Sequence, residues 1–137
     1  MVVSENIAKE KVRILLVDDS DEFRELVMAY LKAFPFDIKE ATDGSHALQM
    51  MKDHDFDVVL MDYKMPLMDG ATTTKLFREW EEKVGRKHML IIALSAFSRK
   101  QDLEDFFSAG CDEYLTKPIR RIDLVTALNS VLEKYEL

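Results

Sequence analysis

Cysteine is nearly absent from this chain. Cys111 is the single thiol among 137 residues, which excludes an internal disulfide. One unpaired cysteine fits a reducing compartment, so a cytoplasmic location is expected. Basic charge is also short: 19 Lys and Arg stand against 26 Asp and Glu, for a net charge of -7. That balance argues against non-specific nucleic-acid binding, which needs a basic face. It leaves room for a small basic patch that meets a protein partner. No apolar run reaches the length of a membrane span, so no membrane insertion is expected. The segment from Met1 to Lys11 is mixed and charged, and lacks the apolar core of a signal peptide. Gly (four) and Pro (three) are too few for a linker or a low-complexity tract, and no repeats occur. With 47% hydrophobic and 33% charged residues, the composition is that of a folded globular chain. One domain is expected over residues 12–137, preceded by a short N-terminal arm, residues 1–11.

Short β-branched apolar runs alternate with longer segments of helical period. The first run, Val12 to Val17, stops at Asp18-Asp19-Ser20. Phe23, Leu26, Val27, Tyr30 and Leu31 then recur at helical spacing until Pro35. A weak strand is expected over 37–41, and a helix starts at Asp43-Gly44. Val58-Val59-Leu60-Met61 reads as a strand buried on both faces and ends at Asp62. Asp69 is placed to cap a helix that carries Leu76, Phe77 and Trp80. A strand over 89–94 ends at Ser95; a helix with Leu103, Phe106 and Phe107 closes at Gly110. A short strand over 112–115 leads to Lys117-Pro118, and a last helix carries Ile122, Val125, Leu128, Val131 and Leu132. Five β-α units in alternation predict an α/β fold: a single parallel sheet, doubly wound, with helices on both faces.

Ligands of open parallel sheets bind beyond the carboxyl ends of the strands. The residues just past those ends are Asp18 and Asp19, Asp62, Ser95 and Lys117. Taken singly, each has an ordinary explanation: an acidic pair caps a helix, and a lysine lies on a surface. Together they are chemically compatible. Three close carboxylates repel unless a cation sits among them, and a hard divalent ion such as Mg²⁺ suits oxygen ligands. Such an ion bridges to phosphoryl oxygens, Lys117 offers a compact positive charge, and Ser95 offers a hydroxyl. A carboxylate forms an acyl phosphate directly, so neither His nor Cys is needed as nucleophile.

Four segments then carry a resemblance. Ile14-Leu15-Leu16-Val17-Asp18-Asp19-Ser20, Val59 through Gly70, Ile92-Ala93-Leu94-Ser95-Ala96, and Ala109 through Pro118 resemble the receiver domain of bacterial response regulators, the CheY-like family. The resemblance covers nearly all of the chain from about Lys11 onward. It implies a flavodoxin-like sheet of five strands in the order 2-1-3-4-5, flanked by five helices. It also implies a role in phosphorelay signalling, with the chain's own phosphorylation and dephosphorylation as its only chemistry. Asp62 is then the phosphoacceptor. Asp18, Asp19, Asp62 and the backbone carbonyl of Lys64 hold Mg²⁺, for which Mn²⁺ can substitute. Lys117, Ser95 and Ala96 contact the phosphoryl group, Ser95 and Tyr114 form the switch, and the bond before Pro118 is cis. The implied phosphodonor is a histidine kinase or a histidine phosphotransfer protein. An output partner or homodimer is implied at the fourth and fifth β-α units, where Arg99, Lys100, Arg120 and Arg121 lie. The Lys64 side chain, two residues past Asp62, is a candidate for controlling water access to the acyl phosphate.

Three other readings compete. A receiver that only scaffolds keeps the fold without the chemistry. A phosphohydrolase of the haloacid-dehalogenase type wants a second acid where Lys64 stands. A flavin- or nucleotide-binding module wants a Gly-rich loop where Asp18-Asp19 stands. The stretch from Arg78 to Arg86 is similar to receivers fused to hybrid histidine kinases. The chain is accordingly expected to be a stand-alone regulator or a receiver excised from such a kinase.

Overall fold

A computed structural model of the chain describes residues 11–96 and 100–134. Along them run β1 (Val12–Val17), α1 (Asp21–Leu31), β2 (Phe36–Ala41), α2 (Gly44–Asp53), β3 (Val58–Asp62), α3 (Gly70–Val84), β4 (Leu90–Ala96), α4 (Lys100–Ala109), β5 (Glu113–Lys117) and α5 (Arg121–Lys134). The strands pair in parallel in the order β2-β1-β3-β4-β5. The expected fold class and strand order are therefore those observed. Residues 1–10 of the expected N-terminal arm, and Arg99, lie outside the described residues. Among the described residues no helix is long and apolar enough to cross a membrane.

Alternation along the strands divides the core into two layers. Ile14, Leu16, Val58, Leu60, Leu90, Ile92 and Leu94 pack with Val27 and Leu31 of α1 and with Leu124, Leu128 and Leu132 of α5. Leu15, Val17, Val59, Met61, Ile91 and Ala93 pack on the other side with Met51, Phe77 and Phe106, from α2, α3 and α4. Strands covered on both faces must be apolar at consecutive positions, which is why β3 reads as an unbroken apolar run. The edge strands β2 and β5 are only partly covered and have mixed sequences.

Local signals set the helix starts. Ser20, Asp43 and Asp69 each have extended backbone, and each side chain accepts a hydrogen bond from the N–H three residues on. At the other end of α3, Gly85 adopts φ 74, and its N–H bonds to the Glu81 and Glu82 carbonyls.

Several boundaries differ from the sequence reading. β4 continues through Ser95 to Ala96, and β5 runs to Lys117, because Ser95 pairs with Thr116 and Ala96 with Lys117. The tertiary pairing adds rungs that local propensity does not specify. β2 begins at Phe36, which pairs with Val12. α1 closes at Leu31, four residues short of Pro35, in a turn where the Phe34 N–H bonds to the Leu31 carbonyl. Four residues on the apolar stripes, Leu26, Leu76, Phe107 and Ile122, are exposed.

Candidate functional site

The strand order reverses between β1 and β3: β2 lies outside β1, while β4 and β5 lie beyond β3. The carboxyl edge at such a switch point is open, because the connections leave it in opposite directions. Asp18 follows β1 there, and Asp62 ends β3. Both are buried, at 0% and 5% exposure, whereas Asp19 is exposed. One carboxylate oxygen from each of the three falls within 4.8 Å of the others.

Lys117 reaches in from the end of β5. Its Nζ donates to Asp18 Oδ2 at 2.8 Å and to Asp62 Oδ1 at 3.0 Å. The ammonium also lies 4.2 Å from the centre of the Phe23 ring. The other Asp18 oxygen accepts from the Ser20 N–H at 2.8 Å, which fixes the carboxylate at the mouth of α1. Arg24 holds the Asp18 carbonyl at 2.7 Å. The Lys117–Pro118 peptide bond is cis.

Electrostatics follow from this crowding. Burial pushes the Asp62 carboxyl up to about 6; the negative charges of Asp18 and Asp19 add to the rise, and the Lys117 ammonium opposes it. Burial pulls the Lys117 ammonium down, but its hydrogen bond to Asp18 and the charges of Asp62 and Asp18 prevail, leaving it above the usual lysine value.

The remaining sequence-predicted residues are distributed around this centre. Ser95 is 1% exposed, and its Oγ has no hydrogen-bond partner among the described residues. Leaving a buried hydroxyl unpaired costs about 1–3 kcal/mol. Ala96 is exposed and pairs with Lys117 across the β4–β5 ladder. Tyr114 faces outward at 42% exposure, edge-on to Phe107 with ring centres 5.6 Å apart. Lys64 is exposed. Of the basic residues assigned to the output surface, Arg120 pairs with Asp123, and Arg121 donates to the Tyr30 carbonyl. Asp102, near Lys100 in sequence, is buried.

Three contributors escaped the sequence reading. Phe23 looked like an ordinary stripe residue, and Arg24 carried no signal. Tyr63 carries no signal of its own, yet its hydroxyl donates to Asp105 of α4 at 2.8 Å. Gly70 gave only a helix start. It is also a close approach: a Cβ there would stand 2.0 Å from the Asp62 carbonyl oxygen and 2.8 Å from Phe106.

Two buried carboxylates and an exposed one, with an ammonium among them, present hard oxygen donors of the kind a divalent cation takes. Comparison with known proteins bears on this. Residues 14–129 match the family model of the response regulator receiver domain. The chain is 33% identical over 131 residues to chemotaxis protein CheY-3 of Vibrio cholerae, covering 95% of this chain and 98% of that one. It is 35% identical over 121 residues to hybrid signal transduction histidine kinase M of Dictyostelium discoideum, covering 87% of this chain but spanning only 5% of the kinase. Among solved structures it is similar to the receiver domain of the sensor histidine kinase PA1611 of Pseudomonas aeruginosa PAO1. That domain was crystallised with a magnesium ion coordinated in its active site cleft. The TM-score is 0.77 at 28% identity, over 90% of this chain and 98% of that one. With its sheet order, its acidic edge and a family match over most of its length, this chain belongs to the receiver domains of response regulators and functions in phosphorelay signalling.

Proposed function

We propose that Asp62 accepts a phosphoryl group from a phosphohistidine and that the resulting acyl phosphate switches the surface formed by the fourth and fifth β-α units. The observation that carries this reading is Lys117, whose ammonium bridges Asp18 and Asp62 from a third strand. A carboxylate oxygen of Asp62 attacks phosphorus, the P–N bond breaks, and the electron pair leaves with the imidazole nitrogen. Lys117 exchanges a carboxylate contact for a phosphoryl oxygen and so remains charge-paired.

The donor set fits a divalent cation: Asp18, Asp19 and Asp62 offer hard oxygens within reach of one another. Those carboxylates and the Lys64 carbonyl would hold Mg²⁺, or Mn²⁺ in its place. When bound, the ion offsets negative charge on the transferring group. Lys117 alone cannot neutralise three carboxylates plus a phosphoryl group.

Phosphorylation adds nearly two negative charges at one point. The unpartnered Ser95 hydroxyl supports its role as the first reader, since it gains a hydrogen bond there. A charge-assisted bond is worth about 1.5–3 kcal/mol, whereas a shift from 1:99 to 99:1 takes about 5.5 kcal/mol. Partner binding therefore completes the switch, and Tyr114 is the residue proposed to turn inward. The phosphodonor is proposed to be a histidine kinase or a histidine phosphotransfer protein, acting in the cytoplasm. Apart from gaining and losing its own phosphoryl group, the domain has no proposed reaction. Lys64 stands where a phosphohydrolase needs its second acid, which disfavours that alternative.

Incubation with Mg²⁺ and acetyl phosphate followed by intact-mass measurement tests the assignment. One added phosphoryl group on wild type and none on Asp62→Asn is the expected result. An unmodified wild type favours a scaffold, and a modified variant moves the acceptor elsewhere.

A further inference from the structure

Tyr63 lies between the proposed phosphoacceptor and the residue whose carbonyl is proposed to serve the metal, yet its side chain reaches helix α4. The hydroxyl donates to Asp105 Oδ2 at 2.8 Å, and the ring meets Phe106 edge-on with centres 5.5 Å apart. Gln101, one turn earlier on α4, donates to the other Asp105 oxygen at 3.0 Å and so holds the carboxylate in position.

The Tyr63 backbone is fixed as well. Its N–H bonds to the Leu94 carbonyl at 3.0 Å, and its carbonyl accepts from the Gly70 N–H at 2.8 Å. Those two bonds close the base of the loop that carries Lys64. A movement of the Lys64 carbonyl toward a cation turns the Lys64–Met65 peptide, and the anchor on its N-terminal side is Tyr63, which the phenol ties to α4. At its other side α4 carries Phe107, packed on Tyr114. The helix is held at one side by the neighbour of Asp62 and at the other by the proposed switch tyrosine.

We infer that Tyr63 is a positioning residue: its hydrogen bond to Asp105 latches helix α4 to the metal-facing loop, so that filling the acidic site and fixing α4 favour each other. This linkage enters α4 through Tyr63 and not through Ser95, and it rests on the proposed metal role of the site. A hydrogen bond to a charged acceptor is strong and directional enough to carry it, and linkage makes the effect reciprocal. Loss of the latch weakens metal binding by the same factor by which the metal tightens α4.

Hydrogen exchange of residues 100–109, followed across a Mg²⁺ titration, tests the latch in wild type, Tyr63→Phe, Asp105→Asn and the double variant. In wild type, Mg²⁺ slows exchange in α4. Each single variant raises the half-saturating Mg²⁺ concentration about fivefold, and the double variant raises it no further. Exchange in β1 and β3 stays at the wild-type level in all four, which separates the latch from a loss of folding. Unchanged half-saturation in the single variants, independent addition of their effects, or an α4 that ignores Mg²⁺ in wild type overturns the inference. The acetyl phosphate measurement on wild type is scored separately. A failure there removes the phosphoacceptor reading, and the Mg²⁺ response of α4 still decides the latch.

Discussion

Lys117 ties together two carboxylates that belong to different strands, with Nζ 2.8 Å from Asp18 and 3.0 Å from Asp62. Both acids are almost fully buried, so the lysine is the counter-charge that lets them share one edge of the sheet.

Removal of that counter-charge leaves two buried negative groups facing each other. Lys117→Gln is expected to destabilise the metal-free protein by roughly 1–3 kcal/mol, below the cost of breaking a fully buried pair because the lysine is partly exposed. Added Mg²⁺ should recover part of the loss. Urea unfolding in chelator and in Mg²⁺ measures both effects; an unchanged midpoint in chelator shows that the bridge carries no net stability.

The raised Asp62 carboxyl sets a pH dependence. Its folded value is about 6 against an ordinary 3.8, so the folded state holds the proton more tightly than the unfolded chain. The stabilising contribution is present below about pH 4 and is lost as pH rises through about 6. In chelator, Asp62→Asn should therefore match wild type near pH 4 and exceed it by on the order of 2 kcal/mol above pH 7. Urea midpoints at pH 4, 6 and 7.5 trace the difference, and a gap that fails to widen with pH contradicts the burial of the charge.

Two glycines separate close approach from backbone conformation. At Gly70 a methyl group collides with the Asp62 carbonyl, so Gly70→Ala is expected to cost about 3 kcal/mol or more and to disturb the acidic site. Gly85 has φ 74 but open space around it, so Gly85→Ala should cost only about 1 kcal/mol. Thermal or urea unfolding ranks the two; equal costs show that the contact at Gly70 relaxes.

Burial, and then the negative Asp112, push the Cys111 thiol up to about 11. Only the thiolate attacks alkylating reagents. Iodoacetamide at pH 8 should label native Cys111 about a hundredfold more slowly than the urea-unfolded chain, and mass spectrometry over time reads the ratio. Native labelling at the unfolded rate shows that the thiol is open and unshifted.

The strands were legible wherever burial is two-sided. Val58 to Met61 is apolar at every position because helices cover both faces of β3, and no exposed strand needs that pattern. Helix starts were legible where a side chain caps its own backbone, as at Asp43 and Asp69. The ends of β4 and β5 were not, because Ser95–Thr116 and Ala96–Lys117 are pairings between segments with no signal in either one. Leu26 and Ile122 kept helical spacing yet stay exposed, because spacing defines a stripe wider than the surface the sheet covers.

Local patterning alone names the groups that stand at the strand ends: acids after β1 and at the end of β3, a hydroxyl near the end of β4, and a lysine at the end of β5. Alternation of apolar runs with helical segments sufficed, because a parallel sheet forces every strand to point the same way. Which of these groups touch depends on the folded packing. Lys117 bridges Asp18 and Asp62 across 99 and 55 residues of sequence, Phe23 comes to lie against its ammonium, and Tyr63 turns from the site toward Asp105. Those contacts depend on strand order, on packing between layers and on where burial leaves a charge, and none of these is a property of a local segment.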